Sequence, residues 1–163
     1  MFPKLQGRGR EAVEIDAETM AFLTQPVMLI IASADTDRRP SIARAIGLVP
    51  RGSDVLDLIF SRWQWPTIAH DVEATGRLAV TASRPSDYVT YQFKGRAELR
   101  DAGAEEVAIV RDYCAAVIET LKGQGVPDWM VARWTIDRDL AVARLNIDEA
   151  YVQTPGPRAG TSL

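Results

Sequence analysis

Between Val89 and Leu99 the sequence alternates without a break. Val89, Tyr91, Phe93, Gly95, Ala97 and Leu99 fall on one side of a period of two, and Thr90, Gln92, Lys94, Arg96 and Glu98 on the other. That pattern belongs to a long strand with one buried and one polar face, and no helix can present it. Gly95 in its middle marks a bulge or a close backbone approach, as expected where a long strand bends around a barrel.

The flanking segments fit the same architecture. Val27 to Ala34 is a short, almost wholly apolar run closed by Asp35, Asp37 and Pro40, which reads as a buried strand and a turn. A second strand is predicted over Ser41 to Val49 and a third over Val55 to Ser61, joined by the turn cluster Pro50 to Asp54, so the two should form an antiparallel hairpin. Further strands are expected at Arg77 to Ser83 and Leu140 to Ile147. Helical spacing appears in three longer places. Ala17 to about Gln25 follows Asp16 as a cap and stops at Pro26. Trp65, Ile68, Ala69 and Val72 follow Pro66 and end at Gly76. Ala104 to Lys122 carries Val107, Val110, Cys114, Val117, Ile118 and Leu121 as its apolar stripe and ends at Gly123. A short helix is predicted from Trp129 to Trp134, with Asp128 as its cap.

About six strands, several separated only by turns, argue for a mainly β (α+β) fold: an antiparallel barrel with one short crossing helix and helices packed outside. A doubly wound parallel sheet would need a helix between most strands. The length of 163 residues suits one domain. We divide it into an N-terminal arm (1–14), a barrel domain (15–150) and a C-terminal tail (151–163), whose Pro155 and Pro157 stiffen it without making it helical.

Composition narrows the function classes. A net charge of -3 offers no general attraction to phosphate polymers, so nucleic acid is not expected as a partner. No apolar stretch approaches the ~18 residues of a membrane helix, and the first ten residues lack the apolar core of a secretory signal, so a cytoplasmic location is expected. One cysteine, Cys114, and one histidine, His70, exclude an intramolecular disulfide and a Cys/His zinc cluster. Cys114 reads as a small buried hydrophobe. No nucleophile elbow, zinc-protease motif, Walker loop or dinucleotide fingerprint is present.

Arg44 is the anomaly. Ile42, Arg44, Ile46 and Leu48 share one face of the second strand, which places a permanent cation among apolar side chains. Either an internal carboxylate such as Asp57 or a ligand phosphate must neutralise it. Downstream, Ser61 and Arg62 lead through Trp63, Gln64 and Trp65 to a helix starting at Pro66-Thr67, whose first-turn amides suit an anion. Cation, hydroxyls, aromatics and helix N-terminus together suit a phosphorylated planar ligand, with Trp63 or Trp65 as a stacking wall and Gln92 and Lys94 adding bonds.

The order of elements resembles the pyridoxamine 5'-phosphate oxidase-like, FMN-binding split barrel family. The segments carrying the likeness are Phe22-Leu23, Arg39-Pro40-Ser41-Ile42-Ala43-Arg44, Gly76-Arg77-Leu78-Ala79-Val80, and Tyr91 to Glu98 with its Gly-x-Ala-Glu ending. The resemblance implies a six-stranded split barrel and a homodimer with flavin sites at the subunit interface. It implies that Arg44 approaches the FMN phosphate, that Ala45 and Ile46 present backbone to the ring, that Ser61, Arg62 and Thr67 form the phosphate region, and that Gln92 contacts the flavin. Where family oxidases carry Ser-Arg-Lys at the crossing helix, this chain has Trp65-Pro66-Thr67-Ile68. No histidine follows His70, so vitamin B6 oxidation is not expected. The leading expectation is an FMN-dependent oxidoreductase acting on a small molecule. Its alternatives are a deazaflavin in place of FMN, and a non-catalytic dimer holding flavin or haem, with His70 as the haem ligand.

Overall fold

The computed structural model describes residues 13–163. Most of the expected N-terminal arm, including Lys4, Arg8 and Arg10, lies outside the described residues. In chain order the elements are α1 (Ala17–Leu23), β1 (Met28–Ala34), β2 (Pro40–Ala45), β3 (Gly47–Pro50), β4 (Val55–Ser61), α2 (Pro66–Thr75), β5 (Arg77–Ser83), β6 (Thr90–Asp101), α3 (Ala104–Gly123), α4 (Asp128–Val131) and β7 (Leu140–Val152). All strand pairs are antiparallel, in the order β2-β1-β5-β6-β7-β4-β3.

The strand expected over Ser41 to Val49 is present as two pieces. Its first half, β2, pairs with β1, and its second half, β3, pairs with β4. Only Ile46 separates them, and its N–H donates to Ile59 O at 2.7 Å. One chain segment therefore sits at both ends of the strand order, and the curled sheet meets itself there. The six expected strands and the seven observed segments are thus the same architecture, with a break at Ile46.

That break also corrects the expected facing of this strand. Ala43 and Ala45 enter the barrel core, followed by Leu48, which packs against the same core. An inward step of three residues in place of two means that an extra residue is accommodated at Ile46-Gly47. Ile42 is accordingly exposed, at 68%, and Arg44 lies on the outer surface of the sheet. Alanines suffice inside because Phe60, Phe93, Leu56 and Leu58 already fill the interior.

The second expected bend is where the alternation places it. Between Lys94 and Gly95 the β6–β7 register shifts, and a Cβ on Gly95 would lie 1.9 Å from Asn146 O. Glycine is required there by close approach of backbone.

Two caps close the barrel ends. Asp16 accepts from the Thr19 N–H at 2.7 Å and starts α1, which sends Phe22 and Leu23 into the core. Pro66 opens α2, Gly76 ends it at φ 62°, and Ile68, Ala69 and Val72 face the same core. Helix α3 packs against the outside of the barrel, where Val110 meets Ile46, Ile59, Leu140 and Val142. Tyr113 ties it down by donating its hydroxyl to Val27 O at 2.7 Å. Burial pushes the Tyr113 phenol far above its ordinary value and the Cys114 thiol up to about 11, consistent with an inert cysteine. Val107, expected on the apolar stripe, is 40% exposed. The short helix α4 ends at Val131, ahead of the predicted Trp134.

Strand β7 runs to Val152, and the remaining tail folds back on it. Val152 N–H donates to Thr161 O, Gly160 N–H to Val152 O and Leu163 N–H to Ala150 O. Among the described residues no helix is long and apolar enough to cross a membrane.

Candidate functional site

The outside of the barrel divides in two. Helix α3 covers the β4–β7 side, and its C-terminal half reaches Met28 at the start of β1, while farther along β1, β5 and β6 the outer face holds an open groove. Across this face the register places Arg44 opposite Ile30, Ile30 opposite Thr81, Thr81 opposite Gln92 and Gln92 opposite Tyr151. Directly opposed residues of antiparallel strands point to the same side. Arg44 and Gln92, expected at one site from sequence, therefore share a line across the sheet. They are three strand spacings apart, about 14 Å.

The neighbouring line consists of Ile42, Ala32, Ala79, Lys94 and Glu149. Its alanines leave a shallow floor. A groove of about 370 Å³ runs over Ala32, Ala34 and Ala79, with Arg77 and Lys94 along its edges. Gln92 Nε2 donates to Thr81 Oγ1 at 3.1 Å.

At the other end, Arg44 is half-buried. Among the described residues no carboxylate lies within ion-pair distance of it. Its guanidinium stacks on the Trp134 ring, 3.9 Å from the centroid. Burial works against its charge and draws its pKa below the usual arginine value, with the Tyr113 phenol opposing that shift. Asp57, offered from sequence as a structural counter-ion, is engaged elsewhere: it pairs with Arg144 at 2.8 Å and Arg51 at 2.9 Å. No spacing in the sequence announces those two partners, because they reach Asp57 from β7 and from the β3–β4 turn.

The segment between α4 and β7 closes over the rest of the expected phosphate region. Ser61 Oγ donates to Arg138 O at 2.5 Å, and the Gln64 amide donates to Arg133 O. Arg62 pairs with Asp101 at 2.6 Å and Asp139 at 3.1 Å, and the Asp101 hydrogen bond leads the effects that raise its pKa. Ser61 is buried and Arg62 is held by two carboxylates, so both are engaged within the protein. Thr67 is exposed in the first turn of α2. Gln64 Oε1 is a buried acceptor without a partner.

Ala45 turns its side chain into the barrel core, and Ile46 lies under α3 with its N–H bonded to Ile59. Trp65 stands at the N-cap position of α2 without a side-chain capping bond and packs against the core, whereas Trp63 is 50% exposed beneath Arg138. His70 is exposed on α2, and no group of metal-binding side chains occurs among the described residues. Sequence reasoning missed Trp134. It lies ninety residues from Arg44, at the end of the short helix predicted from Trp129, and an aromatic there has no signature that names its partner.

None of the curated proteins matches the sequence. Among solved structures, HupZ of Group A Streptococcus superposes with a TM-score of 0.56 at 18% identity, covering 90% of this chain and 100% of that one. An F420 reductase gives a TM-score of 0.52 at 12% identity over 80% of this chain and 93% of the other. HutZ, the heme storage protein from Vibrio cholerae, gives 0.51 at 15% identity over 85% and 94%. At such identities these likenesses establish the split-barrel fold. The sequence matches the pyridoxamine 5'-phosphate oxidase family over residues 15–154, nearly the whole described chain, and the protein belongs to that family.

Proposed function

We propose that the protein binds FMN non-covalently on the open face of the barrel and acts as a flavin-dependent oxidoreductase on a small molecule. The observation that carries this reading is Arg44, a half-buried cation with no carboxylate partner among the described residues, on one register line with Gln92. A permanent charge held partly out of water needs an anion, and a phosphate supplies one.

The residues fit the cofactor unevenly. Arg44 would hold the phosphate, and the Thr67 hydroxyl and first-turn amides of α2 are the further donors we assign to it. Gln64 Oε1 is an acceptor awaiting a donor, and a ribityl hydroxyl is a donor. Gln92 would meet the ring at the far end. Ser61, Arg62 and the Gln64 amide nitrogen contribute by anchoring the 133–139 segment that walls the Arg44 corner.

A bound flavin supplies hydride or electron transfer, and the chain's own groups bind, orient and shield it. Shielding needs a cover, because Ile30 and Ile42 are 40% and 68% exposed beside the alanine floor. A second copy of the chain over this face would bury them, giving the homodimer in which each flavin lies between subunits.

The absorption spectrum of the purified protein, with mass spectrometry of any released small molecule, tests the reading. A flavin spectrum or saturable FMN binding that Arg44→Ala weakens about tenfold to a hundredfold is expected. A Soret band that vanishes in His70→Ala would replace it with haem binding. A colourless protein that takes up neither would remove it.

A further inference from the structure

An arginine has two kinds of surface to offer. The faces of its guanidinium stack on aromatic rings, and its edge carries five N–H donors that recognise oxyanions. At Arg44 the face is used and the edge is not. The guanidinium carbon lies 3.9 Å from the centroid of the Trp134 ring, and no hydrogen bond from the guanidinium is made among the described residues. Trp134 is itself fixed from behind, against the cluster of Val117, Leu121 and Val131 at the α3–α4 junction. Its backbone N–H also donates to Val131 O at 3.1 Å. The other two arginine–tryptophan stacks differ in kind, because Trp63 and Trp129 are 50% and 62% exposed and the arginines over them lie 4.7 and 5.6 Å away.

We propose that Trp134 is a positioning residue for phosphate recognition: it braces the Arg44 guanidinium with its edge donors available, and so sets the preference for a phosphorylated over an unphosphorylated flavin. This rests on the reading that Arg44 takes the cofactor phosphate. Without the indole, a long side chain with several rotatable bonds is free to turn to water, and ordering it falls to the ligand. Trp134 touches no part of the ligand in this scheme and acts through Arg44 alone.

The test titrates flavin-free protein with FMN and with riboflavin, which differ only in the phosphate. The wild type should prefer FMN by at least about tenfold. Trp134→Leu should lose most of that preference through an FMN affinity about tenfold weaker at unchanged riboflavin affinity. Trp134→Phe, which keeps an aromatic face, should stay within about threefold of the wild type. Arg44→Lys, which keeps the charge and loses the planar stack, should also lose the preference, and it carries the test if Trp134→Leu does not fold. Undiminished FMN affinity in Trp134→Leu, a parallel fall for riboflavin, or full preference in Arg44→Lys would overturn the inference and leave the cofactor reading standing. A wild type that binds the two flavins equally would overturn the inference together with the assignment of the phosphate to Arg44, and one that binds neither would overturn the cofactor reading as well.

Discussion

Arg144 grips Asp57 with two donors: Nε lies 2.8 Å from Oδ1 and Nη2 lies 2.9 Å from Oδ2. Asp57 is fully buried on the outer side of β4, and Arg51 adds a third hydrogen bond at 2.9 Å. Burial alone would raise its pKa, but the hydrogen bonds from Arg144 and Arg51 together outweigh it and hold the carboxyl below its ordinary value. A carboxylate with a depressed folded pKa stabilises the fold fully above its unfolded pKa of about 3.9, and loses that contribution as pH falls through the folded value. Asp57→Asn should therefore destabilise the protein by about 2 kcal/mol at neutral pH, less than the roughly 3 to 5 kcal/mol for breaking a fully buried pair because both arginines are partly solvated. Urea unfolding across pH should show the gap between wild type and variant narrowing below about pH 4. A gap that is constant with pH would mean that shape, not charge, is what Asp57 contributes.

Gly95 faces a harder constraint. A methyl group there would lie 1.9 Å from Asn146 O and 3.0 Å from Asp148 N, both backbone atoms that no rotamer can move. Gly95→Ala should cost about 3 kcal/mol and lower the melting temperature by roughly 10 °C. Thermal unfolding followed by circular dichroism measures it. A loss under about 1 kcal/mol would show that the bulge relaxes freely.

Ile42 should matter for association, not for folding. It projects from β2 beside Arg44, at 68% exposure, and contributes nothing to the barrel core. If the proposed homodimer forms through this face, Ile42→Glu is expected to leave the unfolding midpoint of the separated chain nearly unchanged and to shift the sedimentation coefficient to that of a monomer. A charge on an apolar surface about to be covered is costly, whereas in water it is not. An unaltered sedimentation coefficient would place the subunit contact elsewhere.

Most elements were legible because their causes are local. Period-two alternation marked β6, Pro66 and Gly76 bracketed α2, and Gly95 marked its bulge. The facing of β2 was not legible, because Ile42 and Arg44 obey the same alternation as an inward strand and the irregularity at Ile46 is imposed by pairing with two different neighbours. Apolar character alone cannot tell a core from a surface awaiting a partner. At the candidate site, Arg44 and Gln92 were identified as residue types with unmet needs. That Ser61 and Arg62 are engaged by Arg138, Asp101 and Asp139 depends on contacts spanning up to 77 residues, which spacing does not encode.

The returning tail has a meaning beyond length. Strand β7 outlasts β4, whose last partner on it is Asn146, so its final residues would otherwise present bare amides and carbonyls on that side. Gly160, Thr161 and Leu163 bond to that stretch, and Tyr151 bridges to Ser162. The last few residues thus act as a selvedge: they finish a raw border that would otherwise be a template for strand addition by a neighbouring molecule. On that account residues 160–163 do for the end of β7 what a neighbouring strand does for its start: they occupy its backbone donors and acceptors.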